Sequence, residues 1–581
     1  MSDLPKRRDI ADLRSQRWFA SDDMRGFAHR QRTQQMGMRR DEFMNRPVIA
    51  IINTWSEMSP CHAHLRDRAE AVKRGVWQAG GYPVELPALS VGEVMVKPST
   101  MLYRNFLAME CEELLRSHPV DGAVLLGGCD KSTPGLLMGA ISMDLPVIFC
   151  PAGPMSNGQW RGQKTGAGTH TKKYWDELRA GNISQDDWVD LESRMTRSAG
   201  TCNTMGTAST MTSIVDAMGL TLPGASSIPA VDSGHTRMAS ACGVRIVDMV
   251  WEDLKPSDIL DRASFSNGLV AYMALGGSTN AAVHLVAMAR RAGVVLTLDD
   301  MADMAGRVPV CANLFPSGEY LMEDFYFAGG ILAQLNKLTR HLDLSKRTVN
   351  GKTIGENLSG AECWNDDIIR GEDNPIVPLS HGKTLTVLRG NLSPNGAVMK
   401  SSAANPKFLK HVGPAIVFDN PGVMNKTLDD PDLDITEDTV IVLRNAGPVG
   451  APGMPEWGNL PIPKKLLKQG VRDMVRICDG RMSGTHYGTC ILHVAPEAAV
   501  GGPLALLQTG DMIELDVMAG TLNMLVDDAE IARRRAAWVP TARKYERSFA
   551  ALYQQHVSQA DEGCDFDFLE RGEPVPDPVI Y

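Results

Sequence analysis

Three cysteines of this chain lie in short loops rich in glycine or proline, a setting that the other cysteines lack. Cys61 follows a proline, Cys129 follows two glycines, and Cys202 lies two residues after a glycine. Loops at strand ends or before helices can stabilise a thiolate and present it to a ligand. Three thiolates from separate loops could hold an iron–sulfur cluster and leave one iron open. Buried thiols that act only as small apolar side chains remain an alternative.

Acidic residues and one lysine occupy similar loops. Asp130 and Lys131 follow Cys129 directly, whereas Glu93 and Glu456 lie in segments rich in glycine, proline and apolar residues. Carboxylate oxygen suits Mg²⁺, whereas thiolate suits iron. Spacing alone is also compatible with a helix N-cap at Asp130, a solvated charge at Lys131 and structural roles for both glutamates. A Mg²⁺ site is therefore one of two interpretations.

Ser483 lies in the tight segment Asp479–Thr485, with glycines on both sides. This segment superficially resembles the nucleophile elbow of hydrolases, but its spacing does not fit G-x-S-x-G and no Asp-then-His order follows. The glycine-rich segments at 276–279 and 447–453 match neither a P-loop nor a dinucleotide-binding loop. Four histidines are expected to be satisfied by local hydrogen bonds and receive no role: His62, His64, His486 and His493.

Strands and helices alternate over residues 47–150 and must position the first of these loops. Apolar runs at 47–52, 121–126 and 146–150 predict buried strands, and helical spacing follows the first two runs, at 62–79 and 136–141. Short apolar strands separated by helices predict a parallel sheet with crossover helices. Ligands gather beyond the carboxyl ends of such strands.

A second, β-rich domain is expected after a polar, irregular stretch at about 340–380. We place the boundary so that an α/β domain spans 1–378 and the β-rich domain spans 379–581. Regular short strands between turn signals are typical of a barrel or a sandwich. Strands are predicted at 384–388, 415–418, 439–444, 512–516 and 522–526, and helices of the first domain at 206–218 and 280–292.

Composition excludes several classes of protein. The chain has 581 residues, 59 basic and 69 acidic side chains and a net charge of −10, and no segment concentrates Lys or Arg. A nucleic-acid footprint is therefore absent. No apolar run approaches the ~20 residues that span a bilayer, and the first twenty residues lack a signal-peptide core. The eleven cysteines show no C-x-x-C spacing. We expect a cytoplasmic protein without a disulfide framework.

These motifs together resemble the family of dihydroxy-acid, 6-phosphogluconate and sugar-acid dehydratases. The resemblance extends from about residue 15 to 570. The matching segments are Pro60-Cys61, Gly127–Lys131, Gly200–Met211, Gly276–Asn280, Met399–Ser402 and Asp479–Gly484. Three further segments resemble the sugar-acid branch, and the overall pattern is nearest to L-arabinonate dehydratases: Lys97–Arg104, Gly168–Tyr174 and Ser483–Thr489.

The resemblance implies an N-terminal doubly wound α/β domain, a C-terminal β-barrel domain and an active site between them. It implies a [2Fe–2S] cluster, with [4Fe–4S] as the alternative, and a Mg²⁺ ion. Matched residue by residue, the cluster ligands would be Cys61, Cys129 and Cys202, and the Mg²⁺ ligands Glu93, Asp130, Glu456 and a carbamylated Lys131. Ser483 would be the base, with Thr485 nearby. His62 departs from the family pattern, which has Asn there, and could alter hydrogen bonding at the cluster.

The implied reaction is dehydration of a sugar acid to the 2-keto-3-deoxy acid by a homodimer or homotetramer. L-arabinonate is the first candidate substrate, and D-xylonate, D-galactonate and D-fuconate remain open. Dehydration of a branched-chain dihydroxy acid is the alternative within the family. Outside it, the alternatives are a hydrolase that uses Ser483 and an iron–sulfur sensor without catalytic activity.

Overall fold

The computed structural model of the chain describes residues 8–540, 544–569 and 575–580. Both predicted domain ranges therefore include residues outside the described part, namely 1–7 in the first range and 541–543, 570–574 and 581 in the second.

A four-stranded parallel sheet forms the centre of the N-terminal half. Its strands are β1 (Val48–Asn53), β2 (Tyr82–Pro87), β3 (Gly122–Gly127) and β4 (Val147–Pro151), in the order β2-β1-β3-β4. The strands β1, β3 and β4 are buried along their whole length, as continuous apolar runs require in a sheet covered on both faces. The predicted α/β fold with a parallel sheet is confirmed.

Helices cover this sheet and continue the N-terminal half to residue 358, with a short hairpin of β5 (Gly158–Trp160) and β6 (Gln163–Thr165). In chain order the helices are α1 (Gln16–Phe19), α2 (Met24–Gln35), α3 (Arg40–Phe43), α4 (Leu65–Gln78), α5 (Met101–Ser117), α6 (Ser132–Met143), α7 (Thr169–Ala180), α8 (Gln185–Met195), α9 (Thr207–Ala217), α10 (Ser233–Glu252), α11 (Pro256–Ile259), α12 (Arg262–Ala274), α13 (Asn280–Arg291), α14 (Leu298–Ala305), α15 (Met322–Phe327), α16 (Gly330–Asn336) and α17 (Ile354–Leu358).

The C-terminal half contains a closed barrel of mixed parallel and antiparallel strands, so the barrel is confirmed and the sandwich is wrong. Its strands follow each other around the barrel in the order β10-β11-β12-β8-β7-β14-β13-β9. They are β7 (Thr386–Gly390), β8 (Ser393–Met399), β9 (Lys410–Phe418), β10 (Val440–Leu443), β11 (Arg476–Cys478), β12 (Cys490–Ala495), β13 (Met512–Asp516) and β14 (Thr521–Met524), with helices α18 (Pro421–Leu428), α19 (Lys464–Lys468), α20 (Asp528–Ala537) and α21 (Ser548–His556).

One side of the barrel packs on the N-terminal half. Along β8, Ala397 and Met399 join the barrel's own core, whereas Val398 belongs to the same core as the N-terminal sheet. On the neighbouring strand β12, Ile491 faces the barrel core and Leu492 the shared core. Alternate residues of a strand point to opposite faces, so the outer face of these strands is the contact surface.

Within the described residues, no helix combines the length and the apolar character needed to cross a membrane.

The helices α4 and α10 cross at a point where each contributes a glycine. A Cβ atom on Gly75 would lie 2.0 Å from the carbonyl oxygen of Ser240, and one on Gly243 would lie 2.2 Å from that of Val72. These distances leave no room for a side chain. The crossing fixes α4, which begins just after the loop of Cys61.

We predict that Gly75→Ala lowers the thermal unfolding midpoint. Helix propensity alone would favour Ala by ~1 kcal/mol, but overpacking against a backbone carbonyl costs about 1–3 kcal/mol. The control is Arg74→Ala, because Arg74 is exposed on the same helix and should change stability by less than ~0.5 kcal/mol. A midpoint raised by Gly75→Ala would show that the helices can move apart at no cost.

Candidate active site

The three cysteines singled out in the sequence come together at the carboxyl ends of neighbouring strands. Cys61 lies in the loop after β1, and Cys129 follows β3, its neighbour in the sheet. The loop of Cys202 joins them because the N–H of Gly200 donates to the carbonyl of Pro60. The Cys61 side chain is hydrogen-bonded to Cys129, and Cys202 lies close enough to affect its ionisation.

Two of these thiols, Cys61 and Cys202, resist ionisation. The hydrogen bond with Cys129, burial and the nearby thiols raise the pKa of Cys61 well above its usual value. Burial, with Asp130 and Cys129 adding to it, raises the pKa of Cys202. A thiophilic cation would reverse this, because metal ligation offsets the repulsion between neighbouring thiolates. The arrangement is suited to a centre that takes several sulfur ligands.

His62 connects the loops of the first two cysteines. Its side chain is fully buried, and its Nε2 accepts a 3.1 Å hydrogen bond from the backbone N–H of Cys129. The Nδ1 atom lies 3.1 Å from the hydroxyl of Ser90. Burial lowers the pKa of His62 to about 3, so the ring is neutral and the proton belongs on Nδ1. The expectation that local hydrogen bonds satisfy this histidine is confirmed.

Three carboxylates surround the ammonium group of Lys131. Nζ lies 2.7 Å from Glu93, 3.1 Å from Glu456 and 3.4 Å from Asp130. One oxygen of each carboxylate lies within 4.8 Å of those of the others, a spacing that a single metal ion could bridge. Oxygen ligands of this kind suit a hard divalent cation.

The burial of this group shows that two of the sequence-based alternatives are wrong. Lys131 is not a solvated surface charge, because its side chain is fully buried. Asp130 is not a helix N-cap: α6 begins at Ser132 with Lys131 in the cap position, and no side chain caps it. Residue spacing could not show the partners of Lys131, because one of them, Glu456, lies 325 residues away in the sequence.

Electrostatics couple the members of this group. Burial lowers the pKa of Lys131, but the three carboxylates outweigh it and hold that pKa above its ordinary value. Burial and the charges of Glu456 and Glu93 raise the pKa of Asp130 to about 6, although Lys131 opposes them. Burial opposes the ionisation of Glu456, but Lys131 and Arg481 keep its pKa below the usual value. The ammonium of Lys131 therefore favours the ionised forms of Asp130 and Glu456.

Asn280 and Arg481 complete the surroundings of Glu456, and no role was predicted for either. The side-chain amide of Asn280 donates to Glu456 at 2.8 Å, and the buried guanidinium of Arg481 donates at 3.0 Å. Both belong to motif segments singled out in the sequence, and this is the signal that could have identified them. The residues join the start of α13 to the loop between β11 and β12.

Ser483 and Thr485 lie in that same loop, which packs against the N-terminal half. Their hydroxyls are 2.8 Å apart, and the hydroxyl of Thr169 donates to the carbonyl of Thr485. A Cβ atom on Gly484 would lie 2.3 Å from the Oγ of Ser278. Only glycine, which has no Cβ atom, therefore fits between Ser483 and Ser278. Ser278 is hydrogen-bonded to Thr207, which in turn accepts from Asn280. A continuous contact therefore runs from the serine loop to the carboxylates.

The surroundings of Ser483 do not form a hydrolase triad. Within the part of the chain that the structure describes, its Oγ contacts the hydroxyl and the N–H of Thr485 and no histidine. The side chain of the nearby His486 is buried, and burial together with Lys172 and Arg476 lowers its pKa to about 3. Within the described residues, no histidine is hydrogen-bonded to the hydroxyl of Ser483.

Comparison with known proteins was made over the whole chain. Residues 46–357 match the dihydroxy-acid/6-phosphogluconate dehydratase N-terminal domain, and residues 367–564 match the C-terminal domain of that family. The chain is 69% identical to 6-deoxy-6-sulfo-D-gluconate dehydratase of Pseudomonas putida, over 99% of this chain and 100% of that protein. It is 49% identical to L-arabinonate dehydratase of Rhizobium leguminosarum bv. trifolii, over 97% of each. It is 40% identical to dihydroxy-acid dehydratase of Caldicellulosiruptor bescii, over 90% of this chain and 95% of that protein.

Proposed function

Because the chain belongs to the dihydroxy-acid/6-phosphogluconate dehydratase family, we propose that it removes water from an aldonic acid and forms the 2-keto-3-deoxy acid. The observation that carries this proposal is the meeting of three thiols with three carboxylates in one set of loops, beside a serine that has no histidine partner. A hydrolase would use the serine but would have no use for the other two groups.

The substrate we propose is an aldonate that carries a sulfonate at its far end, as in 6-deoxy-6-sulfo-D-gluconate. The support is the identity of 69% with a relative of that name, against 49% with an L-arabinonate dehydratase. L-arabinonate is the second candidate, followed by D-xylonate, D-galactonate and D-fuconate. A branched-chain dihydroxy acid is the least favoured, with a relative at 40% identity. The cytoplasmic location and the homodimer or homotetramer stay predictions.

The side chains fit the two cofactors that this reaction needs. Cys61, Cys129 and Cys202 would hold the iron–sulfur cluster, [2Fe–2S] or [4Fe–4S], since three converging thiols leave one iron without a protein ligand. Glu93, Asp130 and Glu456 would hold Mg²⁺ where the ammonium of Lys131 now balances their charge. Carbamylation would turn the Lys131 amine into an oxygen ligand. The two cofactors would supply Lewis-acid polarisation of the substrate's carboxylate and hydroxyls, which acidifies the C2 proton and eases loss of the 3-hydroxyl.

The residues of the serine loop would carry the proton transfer. Ser483 Oγ would accept the C2 proton, the C3–O bond would break, and the departing hydroxide would take that proton back from Ser483 and leave as water. The resulting enol would tautomerise to the 2-keto acid. An ordinary hydroxyl is too weak a base for a C–H proton, so Ser483 would have to act as its alkoxide. The hydroxyl of Thr485, 2.8 Å away, can donate to that alkoxide. Arg481 would hold Glu456 in place during the reaction.

The proposal predicts 2-keto acid formation by enzyme that has been reconstituted anaerobically with iron, sulfide and Mg²⁺. We expect turnover of 6-deoxy-6-sulfo-D-gluconate above that of L-arabinonate in a screen of pentonates and hexonates. Removal of Mg²⁺ by a mild chelator should stop turnover while the visible absorption of the cluster remains. A brown protein that dehydrates no aldonate would favour the sensor alternative, and ester hydrolysis by iron-free protein would favour the hydrolase.

The ligand assignment predicts loss of iron from Cys61→Ser, Cys129→Ser and Cys202→Ser, since a hard oxygen replaces a soft sulfur. Iron per chain, measured by colorimetric assay, should fall in each variant together with the visible absorption. Cys150→Ser is the control, because Cys150 is also fully buried but lies within β4, where it contacts Met238. Full iron content in any of the first three variants would remove that residue from the ligand set.

The base assignment predicts that Ser483→Ala keeps its iron and binds substrate but loses the ~10²–10⁴-fold usually contributed by a general base. It should also fail to exchange the C2 proton of the substrate with deuterium from D₂O, followed by NMR. Thr485→Ser, which keeps the neighbouring hydroxyl, is the control and should retain exchange. Exchange at the parent rate in the alanine variant would mean that another group takes the proton.

A further inference from the structure

Lys400 carries a buried ammonium group without a counterpart. Its side chain is 4% exposed, and Nζ has no hydrogen-bond partner in the described residues. Burial alone lowers the pKa of Lys400 to about 7. An unpaired ammonium in a protein interior is strongly unfavourable unless it meets an anion or loses its proton. Something other than folding stability must therefore explain this lysine.

Other buried cations of the chain are each satisfied by the protein, which sets Lys400 apart. In the described ranges, the remaining buried lysines and arginines pair with carboxylates or donate to carbonyl groups: Arg30, Arg104, Arg116, Lys131, Lys172, Arg291, Arg476 and Arg481. The contrast with Lys131 is the sharpest, because three carboxylates surround that ammonium. The fold thus provides partners for buried cations elsewhere and leaves this one open.

Lys400 lies at the end of the barrel strand β8, one side of which packs on the N-terminal half. It directly follows β8, in which Met399 faces the barrel core and Val398 faces the N-terminal half. Lys400 itself comes just after the strand and leads into the short turn Ser401–Ala403.

The segment after Lys400 also runs along the serine loop. Met399 pairs with Ile491 of β12, and the N–H of Gly488 donates to the carbonyl of Ala403 at 2.9 Å. Gly488 belongs to the loop that carries Ser483 and Thr485. From the N-terminal half, the hydroxyl of Ser317 lies 3.1 Å from that of Ser402. Lys400 is therefore placed where the barrel, the serine loop and the N-terminal half meet.

We propose that Lys400 is a substrate-binding residue whose ammonium group contacts anionic oxygens of the aldonate, a sulfonate or a carboxylate, on the barrel side of the site. This inference rests on the proposed function. An anion would supply the hydrogen-bond acceptor that the described residues do not provide. Its binding energy would offset the cost of the buried charge. No carboxylate competes for this ammonium, so an anionic ligand can approach it without the repulsion that it would meet beside Glu93, Asp130 and Glu456.

The test compares Lys400→Met, which removes the charge at similar volume, with Lys400→Arg, which keeps it. Lys407→Met is the matched control, because Lys407 lies on the same segment but is half exposed and pairs with Glu437. We expect Lys400→Met to raise KM by about 10- to 100-fold, the loss of a charged hydrogen bond, while kcat changes less. The Arg variant should recover part of the loss. The Met variant should unfold at the same or a higher temperature, because it no longer buries an unpaired charge.

Two substrates distinguish the two anionic groups. A rise in KM confined to 6-deoxy-6-sulfo-D-gluconate would assign Lys400 to the sulfonate, and an equal rise for L-arabinonate would assign it to the carboxylate. Both results support the proposal. KM values within two-fold of the parent for both substrates, or a large fall in the unfolding temperature of the Met variant, would overturn it.

Calorimetric binding of the same two aldonates separates this inference from the proposed function. Parent protein that binds an aldonate without turning it over would refute the dehydratase assignment alone, and weaker binding by the Met variant would still support Lys400. Equal binding by parent and Met variant, or no binding by either, would refute the role of Lys400.

Discussion

The concentrated charge of Glu93, Asp130 and Glu456 is the constraint on which the candidate site depends. Three carboxylates this close cannot all be ionised in a protein interior unless a cation lies among them. In this structure the ammonium of Lys131 is that cation. The carboxylates come from the loop after β2, the turn after β3 and the segment after β10, so the charge balance holds the parallel sheet and the barrel domain together. The shared apolar core along β8 and β12 keeps water away from the same junction.

Much of the fold could be predicted because its central strands are continuous apolar runs. The runs at 47–52, 121–126 and 146–150 became β1, β3 and β4 within one residue at each end. Six of the described strands were not predicted, and five of them lack that signal. β5, β6 and β11 have only three residues each, β8 contains a proline and a glycine, and β2 has a proline at each end of its apolar positions. β12 is apolar but follows the serine loop directly, with no turn signal of its own. These strands form because neighbours in the sheet supply the hydrogen bonds, which is information that a local pattern does not contain.

Part of the candidate site could likewise be predicted from the sequence, and part of it could not. The loops of Cys61 and Cys129 follow from the rule that parallel strands gather ligands at their carboxyl ends, and the structure brings them together there. Residue spacing could not predict the surroundings of Lys131, since a lysine next to an aspartate in a turn is normally solvated; only the family resemblance grouped it with the three acids. Glu456, which comes from the C-terminal half, supplies the third carboxylate around the buried lysine, and Arg481 pairs with that carboxylate. The roles of the cysteines, carboxylates and Ser483 stay predictions.

With Lys400 in the proposed role, the two buried lysines would favour opposite charges at the two ends of the site. At one end three carboxylates surround the ammonium of Lys131, so only another cation could take the place of this ammonium. At the other end Lys400 has no partner among the described residues, and its charged form would be stabilised by an anion. An aldonate with a sulfonate has negative charge at both of its ends, so it can use both poles at once, provided that a cation first covers the carboxylates. A neutral sugar would satisfy neither pole and would leave the Lys400 ammonium desolvated. The charges of the protein therefore favour binding of an acid over binding of its uncharged parent sugar, independently of any contact with the hydroxyl groups.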